Sequence, residues 1–216
     1  MQVVVLAKYP TPGAVKTRLA RVLGEVEAAA LSRAFVLDLA ERLRVFGTSV
    51  LWAYWPPDAP FSALVPGARC IPQQGTDLGE RLAAAMATAL AAGRPPVLAL
   101  GTDTPHLPLA ALEEAEGALA AGADVVLGPA ADGGYYLLGL TAIVPALFAD
   151  IPWGTRAVLH ATLARAAAAG LRVHLLSPTF DVDEIDDLHR LQALVACREV
   201  DLPHTSAVLV RLRGVV

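Results

Sequence analysis

The chain has 216 residues and a formal net charge of -4, with 55% hydrophobic and 18% charged residues. That length suits one domain with a substantial core. An acidic balance without a basic run of five or more argues against nucleic acid as the main partner. The longest charge-free stretch, Gly133 to Ala149, is broken by Gly133-Gly134 and Pro145, so it lacks the ~20 unbroken apolar residues of a membrane span. No Lys/Arg-rich leader opens the sequence, and Cys70 and Cys197 have no CxxC partner. The expectation is a soluble cytoplasmic protein with reduced thiols.

Short β-branched runs alternate with longer Ala/Leu-rich segments. The first run, Gln2–Ala7, reads as a strand and empties into "KYPTPGAVKTRLA", which gathers Lys8, Lys16 and Arg18 around a turn at Pro12-Gly13. Val15 precedes Lys16-Thr17 where a P-loop needs glycine, and GxGxxG is missing, which excludes both phosphate-binding fingerprints. What remains is a strand end with backbone N–H groups and cations. Polyphosphate is held by that combination, because Lys supplies point charge and Arg a bidentate fork. A solvated basic loop is the plainer alternative.

In the next segment Leu31, Phe35, Leu39, Leu43 and Phe46 recur at helical spacing, with Arg33, Asp38, Glu41 and Arg42 expected to face away. Strands follow at Ser49–Tyr54 and Ala68–Ile71. "QQGTDLGERLAAAM" then starts a helix, Leu78–Ala92. Asp77, Gly79 and Arg81 there could read a base or ribose, although Thr76 or Asp77 as an N-cap explains the pattern more simply.

Pro96–Leu100 is a buried strand ending in Gly101-Thr102-Asp103. A carboxylate at that place, with Thr102 beside it, can hold a hard divalent cation through oxygen and so assist a diphosphate leaving group. It can equally cap the turn. His106, three residues on, is assigned no role. After a helix over Leu109–Ala121 and a strand over Asp124–Leu127 comes "GPAADGGYYLLGL". Its Asp132-Gly133-Gly134 is foremost a hairpin turn, with Asp132 also a candidate base or hydroxyl anchor for an acceptor. The glycines allow close backbone approach. Tyr135 and Tyr136, opening the strand Tyr135–Leu140, alternate between site and core. Trp153 can stack on a ligand or simply pack.

A helix over Thr155–Ala169 and a strand over Arg172–Leu176 lead to "SPTFDVDEIDDLHRL". Asp186 and Asp187 suit the first turn of the helix Glu184–Ala196 through its dipole. Asp181 and Asp183 precede it on one side of an extended segment. The stretch 200–216 reads equally as a tail or an edge strand. Strands alternating with helices give an α/β fold, with a mostly parallel sheet, helices on both faces, and ligands at the strands' carboxyl ends. One domain, 1–216, without repeat or linker, is expected.

Taken in order, "AKYPTPGAVKTRLA", "GTDLGERLAAA", "LGTDTPHLP", "DVVLGPAADGGYYLLGL" and "DVDEIDDL" resemble the bacterial GT-A-fold transferases associated with radical-SAM and selenodomain proteins. "KTRLA" is also similar to the phospholactate guanylyltransferases. The resemblance implies a Rossmann-like GT-A domain and a divalent cation, Mg²⁺ or Mn²⁺, on Asp103 and Asp183 with Asp181 beside them. It also implies phosphate contacts from Lys16 and Arg18. The first loop departs from the nucleotidyltransferase pattern in lacking Gly-Gly and Arg-Met, and Gly101 replaces the first acid of an Asp-x-Asp.

The expected activity is metal-dependent transfer from a nucleotide-diphospho-sugar to an unidentified acceptor. Asp103, Asp132 and Lys16 carry the chemistry. The donor or acceptor contacts are Lys8, Pro12, Gly13, Arg18, Asp77, Gly79, Arg81, Thr102, Gly133, Gly134, Tyr135 and Trp153. Two rivals stand beside it. One is a nucleotidyltransferase that joins an NTP to a phosphorylated small molecule and releases pyrophosphate. The other is a nucleotide-binding protein without turnover.

Overall fold

Val3, Val4 and Val5 are all fully buried, as are Val97 and Leu98, because these two strands lie side by side with helices on both faces of the sheet. The computed structural model describes residues 1–93 and 95–212. Its strands are β1 (Gln2–Lys8), β2 (Ser49–Trp55), β3 (Arg69–Pro72), β4 (Val97–Leu100), β5 (Val125–Pro129), β6 (Tyr135–Leu140) and β7 (Val173–Leu175). They form a 7-stranded sheet in the order β3-β2-β1-β4-β6-β5-β7. β6 runs antiparallel to both its neighbours, while the other pairings are parallel. Each strand expected from the sequence is present, with ends moved by a residue or two.

The helices are α1 (Thr17–Leu23), α2 (Glu25–Phe46), α3 (Phe61–Leu64), α4 (Leu78–Ala91), α5 (Ala110–Ala120), α6 (Val158–Ala168), α7 (Ile185–Ala196) and α8 (Pro203–Arg211). Alternation along the strands sorts the core. Val3, Val5, Leu98, Leu100 and Val126 face one side with α2 and α5. Val4, Ala99, Val125 and Leu127 face the other with α4 and α6. A third cluster joins Leu19 and Leu23 of α1 to Leu31 and Phe35 of α2, Leu188 and Leu191 of α7, and Leu209 of α8. Each buried leucine contributes about 1.5–3 kcal/mol, so this cluster fixes the end of the chain against the segment that follows β1.

Three expectations need correction. The described part of 200–216 is not a strand: Pro203–Arg211 form α8, and residues 213–216 lie outside the described residues. Asp38 does not face away. It is fully buried, and its carboxylate accepts the His204 and Thr205 amides at 2.9 and 2.8 Å, capping α8. Arg42 is also drawn inward, donating to the Pro105 and Leu107 carbonyls. Periodicity cannot reveal such pairs, because the partners come from distant segments.

The chain runs from β1 outward to β2 and β3, then returns to β4 on the other side of β1. The connections therefore diverge above the carboxyl ends of β1 and β4 and leave a crevice there.

Candidate active site

Beyond β1 the loop makes the expected turn. The Ala14 amide donates to the Thr11 carbonyl at 3.0 Å, and Gly13 has φ 78, as the third position of a type II turn with proline before it requires. Lys16 then takes a left-handed conformation, φ 47 and ψ 43, and ends the loop as α1 begins. Its side chain turns into the crevice and is only 3% exposed.

The Lys16 ammonium lies 2.5 Å from Asp103 Oδ1 and 3.0 Å from Asp183 Oδ1, and donates to the Val182 carbonyl at 2.8 Å. Burial disfavours its charge, but the two carboxylates outweigh that and hold its pKa above the ordinary lysine value. The Val182 amide in turn donates to the Asp103 carbonyl at 2.8 Å. One basic and two acidic residues named from sequence thus meet at the switch point between β1 and β4.

Asp181 stands apart from this group. Its carboxylate accepts the Thr104 hydroxyl at 2.5 Å. Burial, helped by the nearby Asp103 and Asp132 charges, pushes its pKa up to about 6 against the Thr104 bond and Lys16. Asp181 and Asp183 therefore diverge, and among the described residues no three carboxylate, histidine or cysteine side chains gather closely enough for a metal. The cation reading narrows to Asp103 and Asp183. Those two fit one hard ion, since both already present an oxygen to a single positive atom.

Two cavities meet over this cluster, sharing Leu6, Leu78, Gly101, Tyr135 and Asp183. The first, about 430 Å³, is the polar chamber, walled by Lys8, Lys16, Thr102 and Arg81 together with Gln73 and Trp55. Arg81 stacks over the Trp55 ring at 3.9 Å and donates to the Gly75 carbonyl. The second, about 350 Å³, is largely apolar, with Leu82, Leu138, Trp153 and Val158 as walls and Arg18, Asp132 and Asp181 among its polar groups.

The remaining candidates hold structure rather than line the chambers. Asp77 caps α4, accepting the Glu80 amide at 2.8 Å, as the simpler sequence reading had it. Pro12 and Gly13 make the turn that positions Lys16. Gly79 leaves room for the Trp153 indole, where a Cβ would collide, and Trp153 meets the Tyr135 ring edge-on at 6.3 Å. Gly133, with φ 91, lies against the Arg156 carbonyl and receives the Leu159 amide on its own carbonyl at 3.0 Å.

Asp132 shapes the β5–β6 hairpin through the Gly134 amide, 2.8 Å away, and still borders the apolar chamber beside Gly134 and Tyr135. Tyr136 goes into the core, its hydroxyl donating to Ser177. Arg18 sits at the rim, 3.6 Å from Glu184.

Gln73 and Leu78 were not singled out from sequence. Gln73 is buried and donates to the Ala53 carbonyl at 2.8 Å beside the polar chamber. Its place just past a predicted strand end is the signal that could have found it. His106 has no contact with either chamber; its ring braces Phe180, 4.1 Å away, and Thr179.

The strand order and the cluster above β1 and β4 define an α/β fold of the nucleotide-diphospho-sugar transferase type. The chain is similar over its full length to the crystal structure of a "putative nucleotide-diphospho-sugar transferase" from Desulfovibrio desulfuricans G20, with 35% identity, 97% of that chain covered and a TM-score of 0.91. In fold alone it resembles CMP:2-keto-3-deoxy-manno-octonic acid synthetase complexed with CTP, at 15% identity over 92% of this chain and 99% of that one, TM-score 0.57. It likewise resembles Rv0371c in complex with manganese, from Mycobacterium tuberculosis H37Rv, at 18% identity over 88% and 97%, TM-score 0.50. No curated protein sequence matches it. The chain belongs to the family described as "Uncharacterized protein conserved in bacteria (DUF2064)", which matches residues 38–155. That span takes in Asp103, Asp132 and Trp153, while Lys16 and Asp183 lie outside it.

Proposed function

We propose that this protein is a metal-dependent transferase that uses a nucleotide-diphospho-sugar. The observation that carries the reading is the meeting of Lys16, Asp103 and Asp183 in the wall of the polar chamber, with Asp183 bordering the apolar one as well. The polar chamber takes the nucleotide, with Trp55, Arg81 and Gln73 on the side of β2 and β3 and Lys8 and Lys16 toward the phosphates. Asp103 and Asp183 hold Mg²⁺ or Mn²⁺, and the ion supplies charge neutralisation as a nucleoside diphosphate departs. Manganese in the M. tuberculosis structure and CTP in the synthetase support the ligand classes.

The transferred group enters the second chamber, where Trp153 and Tyr135 offer flat apolar faces and Asp132 can anchor or deprotonate an acceptor hydroxyl. Enclosure between these walls orients the two reactants, which supplies much of the rate enhancement in such sites. Arg18, at the rim, adds positive charge as the diphosphate builds negative charge.

Release of nucleoside diphosphate from a panel of nucleotide sugars, with Mn²⁺ and EDTA arms, tests the reading. Mn²⁺-dependent release abolished in Asp103→Asn supports it. Pyrophosphate release from an NTP and a phosphate ester would assign nucleotidyl transfer instead. Binding without either product would leave a nucleotide-binding protein.

A further inference from the structure

In this site the place between the two acidic ligands is filled by the protein's own ammonium. Lys16 Nζ reaches one oxygen of Asp103 and one of Asp183, and its remaining hydrogen bond goes to the Val182 carbonyl, so all three donors of the head group are used. A divalent ion held by the same two oxygens would sit at about 2.1 Å from each. An ammonium in contact with both oxygens leaves no such position. At those two oxygens ion and lysine are therefore alternatives.

We propose that Lys16 is an exchangeable internal cation: its ammonium neutralises Asp103 and Asp183 while the site is empty, and withdraws toward the nucleotide phosphates when a divalent ion takes its place. The inference rests on Asp103 and Asp183 being the cation-binding pair of the proposed transferase. Three features permit the exchange. The lysine stem is long and flexible. Lys16 lines the polar chamber together with Asp103 and Asp183, so a short swing carries the head group from the carboxylates into the space assigned to phosphate. The loop before it is exposed from Thr11 to Ala14, with its end anchored by the buried Val15, so the exchange needs movement of the Lys16 side chain alone.

The exchange has a physical purpose. Without it, an empty site would hold two carboxylates facing each other across a crevice, and a loaded site would crowd an ammonium against a divalent ion. Moving one lysine keeps the charge balanced in both states. It also couples ion entry to phosphate capture, because the ammonium is free to bind phosphate only after the carboxylates have another partner.

The test uses Mn²⁺ alone, followed by electron paramagnetic resonance of the free aquo ion, on the full chain without nucleotide. Lys16→Met is expected to bind Mn²⁺ at least tenfold more tightly than the wild type, because two unneutralised carboxylates remain. Adding Asp103→Asn to that variant is expected to abolish the gain. In the wild type, acylation of Lys16 by an N-hydroxysuccinimide ester, read by mass spectrometry, is expected to rise at Mn²⁺ concentrations that complete the titration. Equal or weaker Mn²⁺ binding in Lys16→Met, or unchanged Lys16 labelling in the loaded wild type, overturns the exchange and leaves the transferase reading standing. Mn²⁺ binding to the wild type that Asp103→Asn does not weaken overturns both.

Discussion

The Val182 amide donates to the Asp103 carbonyl at 2.8 Å, fastening the extended segment before α7 onto the end of β4. This bond places Asp183 opposite Asp103 and makes the Lys16 pocket possible. With the Thr104–Asp181 hydrogen bond beside it, this contact joins segments that are remote in sequence.

The cluster predicts an asymmetry in stability. Asp103→Asn leaves a buried ammonium with one carboxylate, and breaking a buried pair costs up to about 3–5 kcal/mol. Since Asp103 is 47% exposed, about 1–3 kcal/mol is expected here. Lys16→Met places an apolar chain in a slot that is already buried, and its two former partners are reached by water. It should cost less than about 1 kcal/mol. Urea unfolding of the two variants beside the wild type decides the order; a larger loss in Lys16→Met would contradict it.

Gly79→Ala should damage the apolar chamber. A Cβ at this position collides with the Trp153 indole, which also meets the Tyr135 ring edge-on. Overpacking of this kind typically costs ~1–3 kcal/mol. We expect a red-shifted tryptophan emission as Trp153 is displaced, together with a raised KM for the acceptor. Unaltered fluorescence would argue that the contact is soft.

Acid should weaken the fold through His106. Burial, with Arg42 and Arg190 nearby, depresses its pKa to about 4, below its ordinary value of 6.5. The folded state thus favours the neutral ring. Its contribution is fully present above pH 6.5 and is lost as pH falls through 4. A shift of this size corresponds to about 3 kcal/mol. Urea midpoints of wild type and His106→Gln, taken from pH 7 to pH 4, should converge as the pH falls. Parallel curves would remove His106 from the account.

Asp38→Ala should loosen the end of the chain. The Asp38 carboxylate is the cap for the His204 and Thr205 amides, and cap removal costs about 0.5–2 kcal/mol. Hydrogen exchange is expected to speed up in α8 more than in β1 or β4, because α8 is joined to the rest mainly through the third core cluster. Uniform acceleration would show that α8 is not a separate unit.

Much of the frame could be read from the residues alone. The buried runs of β1 and β4, the Asp77 cap, the Pro12-Gly13 turn and the Asp132-Gly133 hairpin all follow from local rules. Each depends on partners only a few residues away or on which face meets solvent. The rule that ligands bind at strand carboxyl ends points from sequence to Lys16 and Asp103 as neighbours of the crevice. Gln73 and Leu78 obey the same rule, but their residue types carry no chemical flag.

Sequence by itself determined the α/β alternation and the set of charged residues from which the site is drawn, because strand burial and turn chemistry are decided within a few residues. Tertiary structure alone decided that Asp183 faces Lys16 while its near neighbour Asp181 turns to Thr104, and that Asp38 is buried beneath α8. Those outcomes join groups up to 167 residues apart. Such groups meet only when the packed sheet and helices bring them together, and a buried charge then settles on whichever partner best offsets its lost hydration.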